Sequence, residues 1–222
     1  MTVQYPDSFT SEIIAQHLYT AVICDALDSL NYRHQSPRIA LPFLTSHNRL
    51  VGRCKTTLWE ELDGEDPSPY ELELKAVDGC QPGEIFVAAA GGSMYSGIWG
   101  ELLTTAARNQ GCVGAIVHGA IRDLEKIDAM DFPVLASGKC AYDSQHRQRV
   151  TDIDIPVEID GVTFSPGDLV FADSDGLVVI PQEIEEQTLK LAWDKVHAEN
   201  ITRDAIRNGM KAEDAYQKYG VL

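Results

Sequence analysis

The stretch GAIVHGAIRDLEKI, residues 114–127, joins an apolar run to two adjacent charged residues, Arg122 and Asp123. The run has the length and composition of a buried strand, and a short helical pattern begins directly after the charged pair. Opposite charges on neighbouring residues of the backbone are poorly placed to pair with one another. The pair therefore either faces water in a turn or holds a ligand at the end of the strand.

Residues 84–123, which end within this stretch, predict a strand, a glycine-rich loop, a helix and a second strand. QPGEIFVAAAGG (81–92) is typical of a buried strand, GGSMYSGIWG (91–100) of a loop, and ELLTTAARNQG (101–111) of a helix. In an open α/β layer, the strand ends and the helix start meet at one edge, where ligands bind. We therefore expect the backbone N–H groups of Gly100, Glu101, Leu102 and Leu103 to bind an anion beside Arg122.

The N-terminal half contains further helix and strand patterns. Apolar residues at helical spacing predict two helices over residues 11–31, with Thr20 capping the second. RLVGRCKTTLW (49–59) alternates like a strand that Gly52 interrupts. A capping box formed by Ser68, Pro69 and Glu71 is predicted to start a helix with Tyr70, Leu74 and Val77 on one face.

The C-terminal half changes from this pattern to short strands and then to helix. Residues 153–181 contain alternating strands separated by Asp-Gly and Pro-Gly turns, which predicts a β-meander. A long helix with an apolar stripe follows Pro181, and a second helical stretch runs to Gly209. We interpret residues 1–222 as a single domain, with an α/β core over about 1–180 and a helical arm over about 181–222.

Composition limits the classes of partner. The net charge of −16 repels nucleic acid, and no segment has eighteen consecutive apolar residues or the pattern of a secretory leader. We therefore expect a cytoplasmic protein with no nucleic-acid or membrane partner. Five widely spaced cysteines without a CxxC pair are predicted to be reduced and packed.

Other cofactor signatures are missing from the sequence. The glycine-rich segment does not fit GxGxxG, and the chain contains neither a P-loop nor a GxSxG nucleophile motif. The six histidines lack metal-type spacing. His118 precedes the charged pair closely enough to assist proton transfer, but we favour its interpretation as a packed side chain.

A longer segment around the charged pair, GELLTTAARNQGCVGAIVHGAIRD (100–123), resembles a known family. It is similar to the Mg-dependent pyruvate aldolases that include 4-hydroxy-4-methyl-2-oxoglutarate/4-carboxy-4-hydroxy-2-oxoadipate aldolase, and to the related regulators of ribonuclease activity A. LYTAVICDALD, PGEIFVAAAGG, FPVLASGKCAYDS and PGDLVFADSDGLVVIP carry the same resemblance, which extends over most of residues 18–222.

The resemblance implies a fold, an assembly and a set of site residues. The fold is the swivelling β/β/α domain with a C-terminal helical extension, assembled as a homotrimer or homohexamer with sites between subunits. Arg122 would bind the 2-oxo acid and Asp123 the divalent cation, Mg²⁺, Mn²⁺ or another. Gly100 to Leu103 would supply amides, Glu101 would meet water on the metal, and Glu199 would reach the site of a neighbouring subunit.

Two residues depart from the family pattern. Lys126 stands where the aldolases usually carry an acid three residues after the aspartate. His118 stands where an aspartate is common before the strand's glycine. Both departures bear on which substrate the site takes.

The resemblance, together with the Arg122 and Asp123 pair, implies a metal-dependent carbon–carbon lyase that cleaves a 4-hydroxy-2-oxo acid to pyruvate. Oxaloacetate decarboxylation is a related reaction. One alternative is a class I aldolase that forms a Schiff base on Lys126 or Lys139. The other is a non-catalytic regulator that binds a ribonuclease.

Overall fold

The computed structural model describes residues 4–221. Its helices are α1 (Ser11–His17), α2 (Thr20–Ser29), α3 (Glu71–Asp78), α4 (Glu101–Asn109), α5 (Leu124–Ala129), α6 (Glu185–Arg207) and α7 (Ala212–Tyr219). Its strands are β1 (Leu50–Glu61), β2 (Glu84–Trp99), β3 (Gly114–Ile121), β4 (Val134–Lys139), β5 (Gln148–Ile153), β6 (Val157–Ile159), β7 (Val162–Phe164), β8 (Leu169–Asp173) and β9 (Gly176–Ile180). The predicted α/β class is confirmed.

The main sheet has seven strands. Its order is β4-β3-β2-β1-β8-β9, and β5 pairs with the second half of β1. Strands β1 to β4 pair in parallel, whereas β5 and β8 run antiparallel to β1 and β9 antiparallel to β8. Strands β6 and β7 form a separate hairpin.

The two faces of the main sheet bury different clusters of apolar residues. Helices α3, α4 and α5 cover one face, where Phe86, Trp99 and Phe132 are fully buried. The β6–β7 hairpin covers the other face, through Ile159 and Phe164. A third cluster joins α1, α2 and α6 to β8 and β9. The hairpin, sheet and helices form the three layers expected of a β/β/α fold.

The predicted β-meander over residues 153–181 is wrong. Its hairpins belong to different sheets, because β8 pairs with β1 rather than with β7. The predicted glycine-rich loop over residues 91–100 is also wrong. Strand β2 continues through it to Trp99, with shifts in its register with β3 after Ala89. Gly91 and Gly92 have positive φ values, which let the strand bend without ending.

Two local predictions at helix and strand boundaries are corrected. Thr20 is the first residue of α2 and not its cap. Its N–H and its hydroxyl both donate to the Asp173 carboxylate, which satisfies the helix start from another part of the chain. Gly52 does not interrupt β1. A Cβ atom there would lie 2.6 Å from the Gly83 carbonyl oxygen, so glycine permits the close approach of that turn.

The predicted capping box before α3 is absent. Tyr70 occupies the N-cap position without a side-chain cap hydrogen bond, and the Ser68 N–H donates to Asp66 in a local turn. The helix buries Glu73, Ala76 and Val77, whereas Leu74 is 52% exposed. Val77 of the predicted apolar face is therefore confirmed as buried, whereas Leu74 is not, and Glu73 is buried in its place.

The C-terminal segment is one long helix followed by a short one. Helix α6 continues to Arg207, past the predicted break, and α7 begins after Gly209. Leu189, Ala192 and Trp193 of the predicted apolar stripe are buried. None of the helices in residues 4–221 is long and apolar enough to cross a membrane.

Candidate active site

The adjacent ends of β2 and β3 place the charged pair beside the start of α4. Trp99 and Ile121 are partners in the last register position of the two strands, and the Arg122 N–H donates to the Trp99 carbonyl oxygen at 2.9 Å. Gly100 follows Trp99 as the N-cap of α4. The predicted meeting of the helix start with the charged pair is confirmed.

Asp123 turns back towards α4. It has a left-handed backbone conformation, with φ of 57°, which aspartate tolerates better than most residues. Its Oδ2 atom accepts a hydrogen bond from the Glu101 N–H at 3.2 Å. A Cβ atom on Gly100 would lie 2.8 Å from the same oxygen, so glycine leaves room for the carboxylate.

Arg122 is held by an acid from a distant part of the chain. Its Nη2 atom lies 2.6 Å from Asp143 Oδ2, in the segment between β4 and β5. The other oxygen of Asp143 accepts from the Tyr70 hydroxyl at 2.7 Å and from the Gln145 N–H at 2.8 Å. Partial burial raises the pKa of Asp143, but these donors and Arg122 outweigh it and leave the pKa below its ordinary value.

The charged pair borders two cavities. A cavity of about 260 Å³ lies between α3 and the start of α4. It is lined by Tyr70, Glu73, Leu74, Gly97, Ile98, Gly100, Leu102, Leu103, Arg122, Asp123, Asp143 and Ser144. On the other side of the pair, a cavity of about 300 Å³ is bordered by Leu124 and by Lys139 to Ala141. The pair is therefore accessible to a small ligand.

Comparisons with known proteins show the family to which the chain belongs. The family model described as "RraA-like: Aldolase/RraA" matches residues 20–179. The chain belongs to the RraA-like family. A relative from Halalkalibacterium halodurans, named provisionally as a 4-hydroxy-4-methyl-2-oxoglutarate aldolase, is 30% identical over 89% of this chain and 89% of its own.

One further relative and one solved structure are also similar to this RraA-like chain. Protein DlpA of Legionella pneumophila is 28% identical over 90% of this chain, which spans only 32% of the length of DlpA. The crystal structure of Streptomyces coelicolor RraAS2, titled an unusual member of the RNase ES inhibitor RraA family, superimposes with a TM-score of 0.78. It is 27% identical, and the match covers 90% of this chain and 98% of that one.

Glu73 and Asp143 are cavity residues of the RraA-like chain that the sequence reasoning missed. Glu73 is only 5% exposed, and its Oε2 atom has no hydrogen-bond partner among residues 4–221. Burial, reinforced by the charge of Asp143 and opposed by Arg122, raises the pKa of Glu73 to about 8. An acid on the buried face of α3 was the available signal, but the misplaced helix face concealed it.

The raised pKa of Glu73 predicts a pH-dependent stability. The folded protein holds this proton more tightly than the unfolded chain, whose ordinary value is 4.5. The Glu73 proton therefore stabilises the folded protein fully below about pH 4.5, and this contribution to the free energy of unfolding is lost as the pH rises through about 8. From pH 5 to pH 9, the free energy of unfolding of the wild type should fall by roughly 2 to 4 kcal/mol more than that of Glu73→Gln.

Urea unfolding at the two pH values measures this difference. Glu71→Gln, which changes an exposed acid at the start of the same helix, should follow the wild type. Identical pH dependence in the wild type and Glu73→Gln would show that the Glu73 carboxyl is not perturbed.

The remaining predicted site residues divide into near and distant groups. Glu101 begins α4 next to Gly100, but it lines neither cavity, and its Oε2 atom lies 4.0 Å from Lys126 Nζ. Glu199 lies on α6, where it accepts a hydrogen bond from the Tyr19 hydroxyl and sits 3.6 Å from Arg203 Nη2. It lines neither cavity beside Arg122 of its own chain.

His118 does not line either cavity. A Cβ atom on Gly92 would lie 3.1 Å from its Nε2 atom, and its Nδ1 atom is buried without a partner among the described residues. Burial lowers the pKa of His118. This half-buried position in β3 favours the interpretation of His118 as a packed side chain, which stays a prediction.

The residues at the edge fit a lightly ligated hard cation. No group of three His, Cys, Asp or Glu side chains suited to a metal occurs within residues 4–221. Mg²⁺ often keeps several waters and uses one or two carboxylates together with oxygens of the substrate. The Asp123 carboxylate, with Glu101 at the start of α4 as a second acid whose backbone N–H contacts it, fits that donor set better than a closed zinc cage.

Proposed function

We propose that this RraA-like protein is a divalent-metal-dependent aldolase that cleaves a 4-hydroxy-2-oxo acid to pyruvate. The observation that carries the proposal is the placement of Arg122 and Asp123 at the first turn of α4, beside a cavity large enough for a small acid. The aldolase name of the Halalkalibacterium halodurans relative supports the same class of reaction.

The chain supplies two kinds of group to hold the 2-oxo acid. Arg122 offers a planar guanidinium, which pairs well with a carboxylate. The N–H groups of Leu102 and Leu103 belong to the first turn of α4, where backbone donors have no partners within the helix. These donors and the positive end of the helix would orient the carboxylate towards Asp123.

Asp123 would hold the divalent cation, Mg²⁺ or Mn²⁺, with Glu101 beside it. When bound, that cation would act as a Lewis acid on the keto oxygen. The retro-aldol step removes the proton of the C4 hydroxyl, breaks the C3–C4 bond and leaves its electron pair in the enolate of pyruvate. Arg122 would offset the charge of that enolate, and protonation at C3 completes pyruvate.

The proton of the C4 hydroxyl needs an acceptor. Glu101 begins α4, and its backbone N–H donates to Asp123. We propose that its carboxylate, which lies 4.0 Å from Lys126 Nζ, receives the proton directly or through one water. Glu199 faces away from these cavities, so its proposed part in proton transfer requires the C-terminal helix of a neighbouring subunit.

We also propose that copies of the chain assemble as a homotrimer or homohexamer around this edge. Leu102, Tyr95 and Tyr142 are exposed by 76%, 51% and 64%, and all three belong to the segments around the charged pair. Exposed apolar side chains gathered in one region favour contact with another protein surface. The net charge of −16 supports a small-molecule substrate over nucleic acid.

Metal removal tests this proposal directly. We expect purified protein to release pyruvate from 4-hydroxy-2-oxo acids, and from oxaloacetate by decarboxylation, in the presence of Mg²⁺ or Mn²⁺. EDTA should lower the rate at least about 100-fold, because the Lewis acid stabilises the developing charge. Readdition of the cation should restore it, and pyruvate release assayed through a coupled dehydrogenase measures each step.

A Schiff-base mechanism predicts the opposite set of results. It requires a desolvated amine, whereas the side chain of Lys126 is 69% exposed and Lys139 is exposed. Activity that survives EDTA, together with inactivation by borohydride in the presence of pyruvate, would assign the reaction to a lysine.

The second candidate function is a non-catalytic regulator of a ribonuclease. The similarity to Streptomyces coelicolor RraAS2 favours it. Such a role needs a protein-binding surface but no cation at Asp123. Protein that releases no pyruvate from any oxo acid and binds a ribonuclease would establish the regulator in place of the aldolase.

A further inference from the structure

The cavity beside Arg122 has a second wall that the mechanism above does not use. We call it the α3 wall, and it consists of Tyr70, Glu73 and Asp143. The Tyr70 hydroxyl donates to Asp143, which also pairs with Arg122 at 2.6 Å. Asp143 therefore connects the Tyr70 hydroxyl to Arg122, the arginine that would hold the 2-oxo acid.

The charges around this cavity are unequal. Its lining contains one cation, Arg122, and the three acids Glu73, Asp123 and Asp143. The carboxylate of a 2-oxo acid would share the guanidinium that Asp143 already contacts. A second carboxylate on the substrate would approach the Asp143 carboxylate of the α3 wall, where the described chain offers it no second cation, and like charges a few ångströms apart repel.

The Glu73 carboxyl has unused hydrogen-bonding capacity on this wall. It is 95% buried in a cavity lining, and its Oε2 atom has no partner among residues 4–221. A buried polar atom without a partner is costly, so its retention calls for an explanation. With a pKa of about 8 the group is mostly protonated at pH 7, so it can both donate and accept a hydrogen bond. A hydroxyl group has the same two capacities.

We propose that the α3 wall selects the distal end of the substrate, accepting a hydroxyl group at Glu73 and rejecting a second carboxylate. This inference rests on the aldolase function proposed above. The preferred substrates would be 4-hydroxy-2-oxo acids with an uncharged, hydroxylated tail. Dicarboxylates, such as oxaloacetate and the acid in the name of the Halalkalibacterium halodurans relative, should then turn over more slowly than these.

Two substrates of equal chain length test the selection. The tail of 4,5-dihydroxy-2-oxopentanoate is a hydroxymethyl group, whereas that of 4-hydroxy-2-oxopentanedioate is a carboxylate. In both, the C4 hydroxyl loses its proton and the C3–C4 bond breaks to give pyruvate. The second product is glycolaldehyde in the first case and glyoxylate in the other. One pyruvate assay therefore compares both kcat/KM values.

We expect the wild type with Mg²⁺ to favour the dihydroxy acid by at least about tenfold in kcat/KM. Glu73→Met, which replaces the carboxyl by an apolar group of similar size, should reduce this ratio to about threefold or less. Glu73→Gln keeps a neutral donor and acceptor and should retain a higher ratio than Glu73→Met. Glu71→Met, on the exposed side of the same helix, is the matched control and should keep the wild-type ratio.

The outcomes separate this inference from the proposed function. A wild type that prefers the dicarboxylate would overturn the selection and leave the aldolase assignment intact, whether or not any variant folds. A folded Glu73→Met variant with the wild-type ratio would do the same. Release of pyruvate from neither substrate would overturn both.

Discussion

Replacing Asp123 with asparagine should lower kcat/KM for pyruvate release at least about 1,000-fold, because it removes the negative charge of the side chain proposed to bind the cation directly. Asparagine tolerates the left-handed backbone of this position and keeps an oxygen that can accept from the Glu101 N–H. The fold should therefore survive. Steady-state kinetics at saturating Mg²⁺, with thermal unfolding of the same samples, measure both effects.

Glu125→Gln is the matched control for this variant. It removes an exposed acid two residues away, in the first turn of α5, and should retain wild-type activity. An Asp123→Asn variant with full activity would refute the assignment of Asp123 to the cation.

Replacing Arg122 with lysine should lower kcat/KM about 100- to 1,000-fold. A lysine keeps the positive charge but loses the planar fork that can contact Asp143 and a substrate carboxylate together. The loss should fall on both KM and kcat, because the guanidinium serves the bound acid and the enolate. Initial rates over a range of substrate concentrations separate the two parameters.

Arg149→Lys provides the comparison for Arg122→Lys. Arg149 also pairs with an aspartate, Asp66, at 2.9 Å, but it lines neither cavity beside the charged pair. This variant should retain activity within about twofold, because lysine keeps the positive charge beside Asp66 and the pair lies outside both cavities. Equal loss in both variants would mean that Arg122 acts through general stability and not at the site.

The edge that carries the candidate site follows from local sequence. The apolar run before Arg122, the helix that ends at Gly111 and the strand over 84–90 are each visible as short-range patterns. Parallel pairing of the two strands then brings their ends to the start of α4, since consecutive strands joined by a helix are usually neighbours. The meeting of Gly100 with Arg122 and Asp123 could be predicted for that reason.

The features that could not be predicted depend on contacts between distant segments. Strand β2 continues through Gly91 and Gly92 because β3 pairs with it beyond Ala89, although the glycines alone indicate a loop. Tyr70 and Asp143 meet across 73 positions of the chain. Neither residue lies in a local motif that would indicate this hydrogen bond or the pairing of Asp143 with Arg122.

The buried face of α3 was misjudged for a related reason. Apolar periodicity favours Leu74 over Glu73, but the sheet and the β4–β5 segment accept the carboxyl beside Arg122 and leave Leu74 exposed. Burial in this position raises the pKa of the Glu73 carboxyl to about 8, so the acid can be buried in its neutral form, which an apolar pattern does not indicate.

A crystal structure of the protein with Mn²⁺ and pyruvate tests the central claim most directly. We expect an anomalous peak for the ion beside the Asp123 carboxylate, and pyruvate with its carboxylate against Arg122 and the first turn of α4. Well-resolved density that leaves this edge empty at saturating ligand, with Asp123 still bonded to the Glu101 N–H and Arg122 to Asp143 alone, would contradict the account.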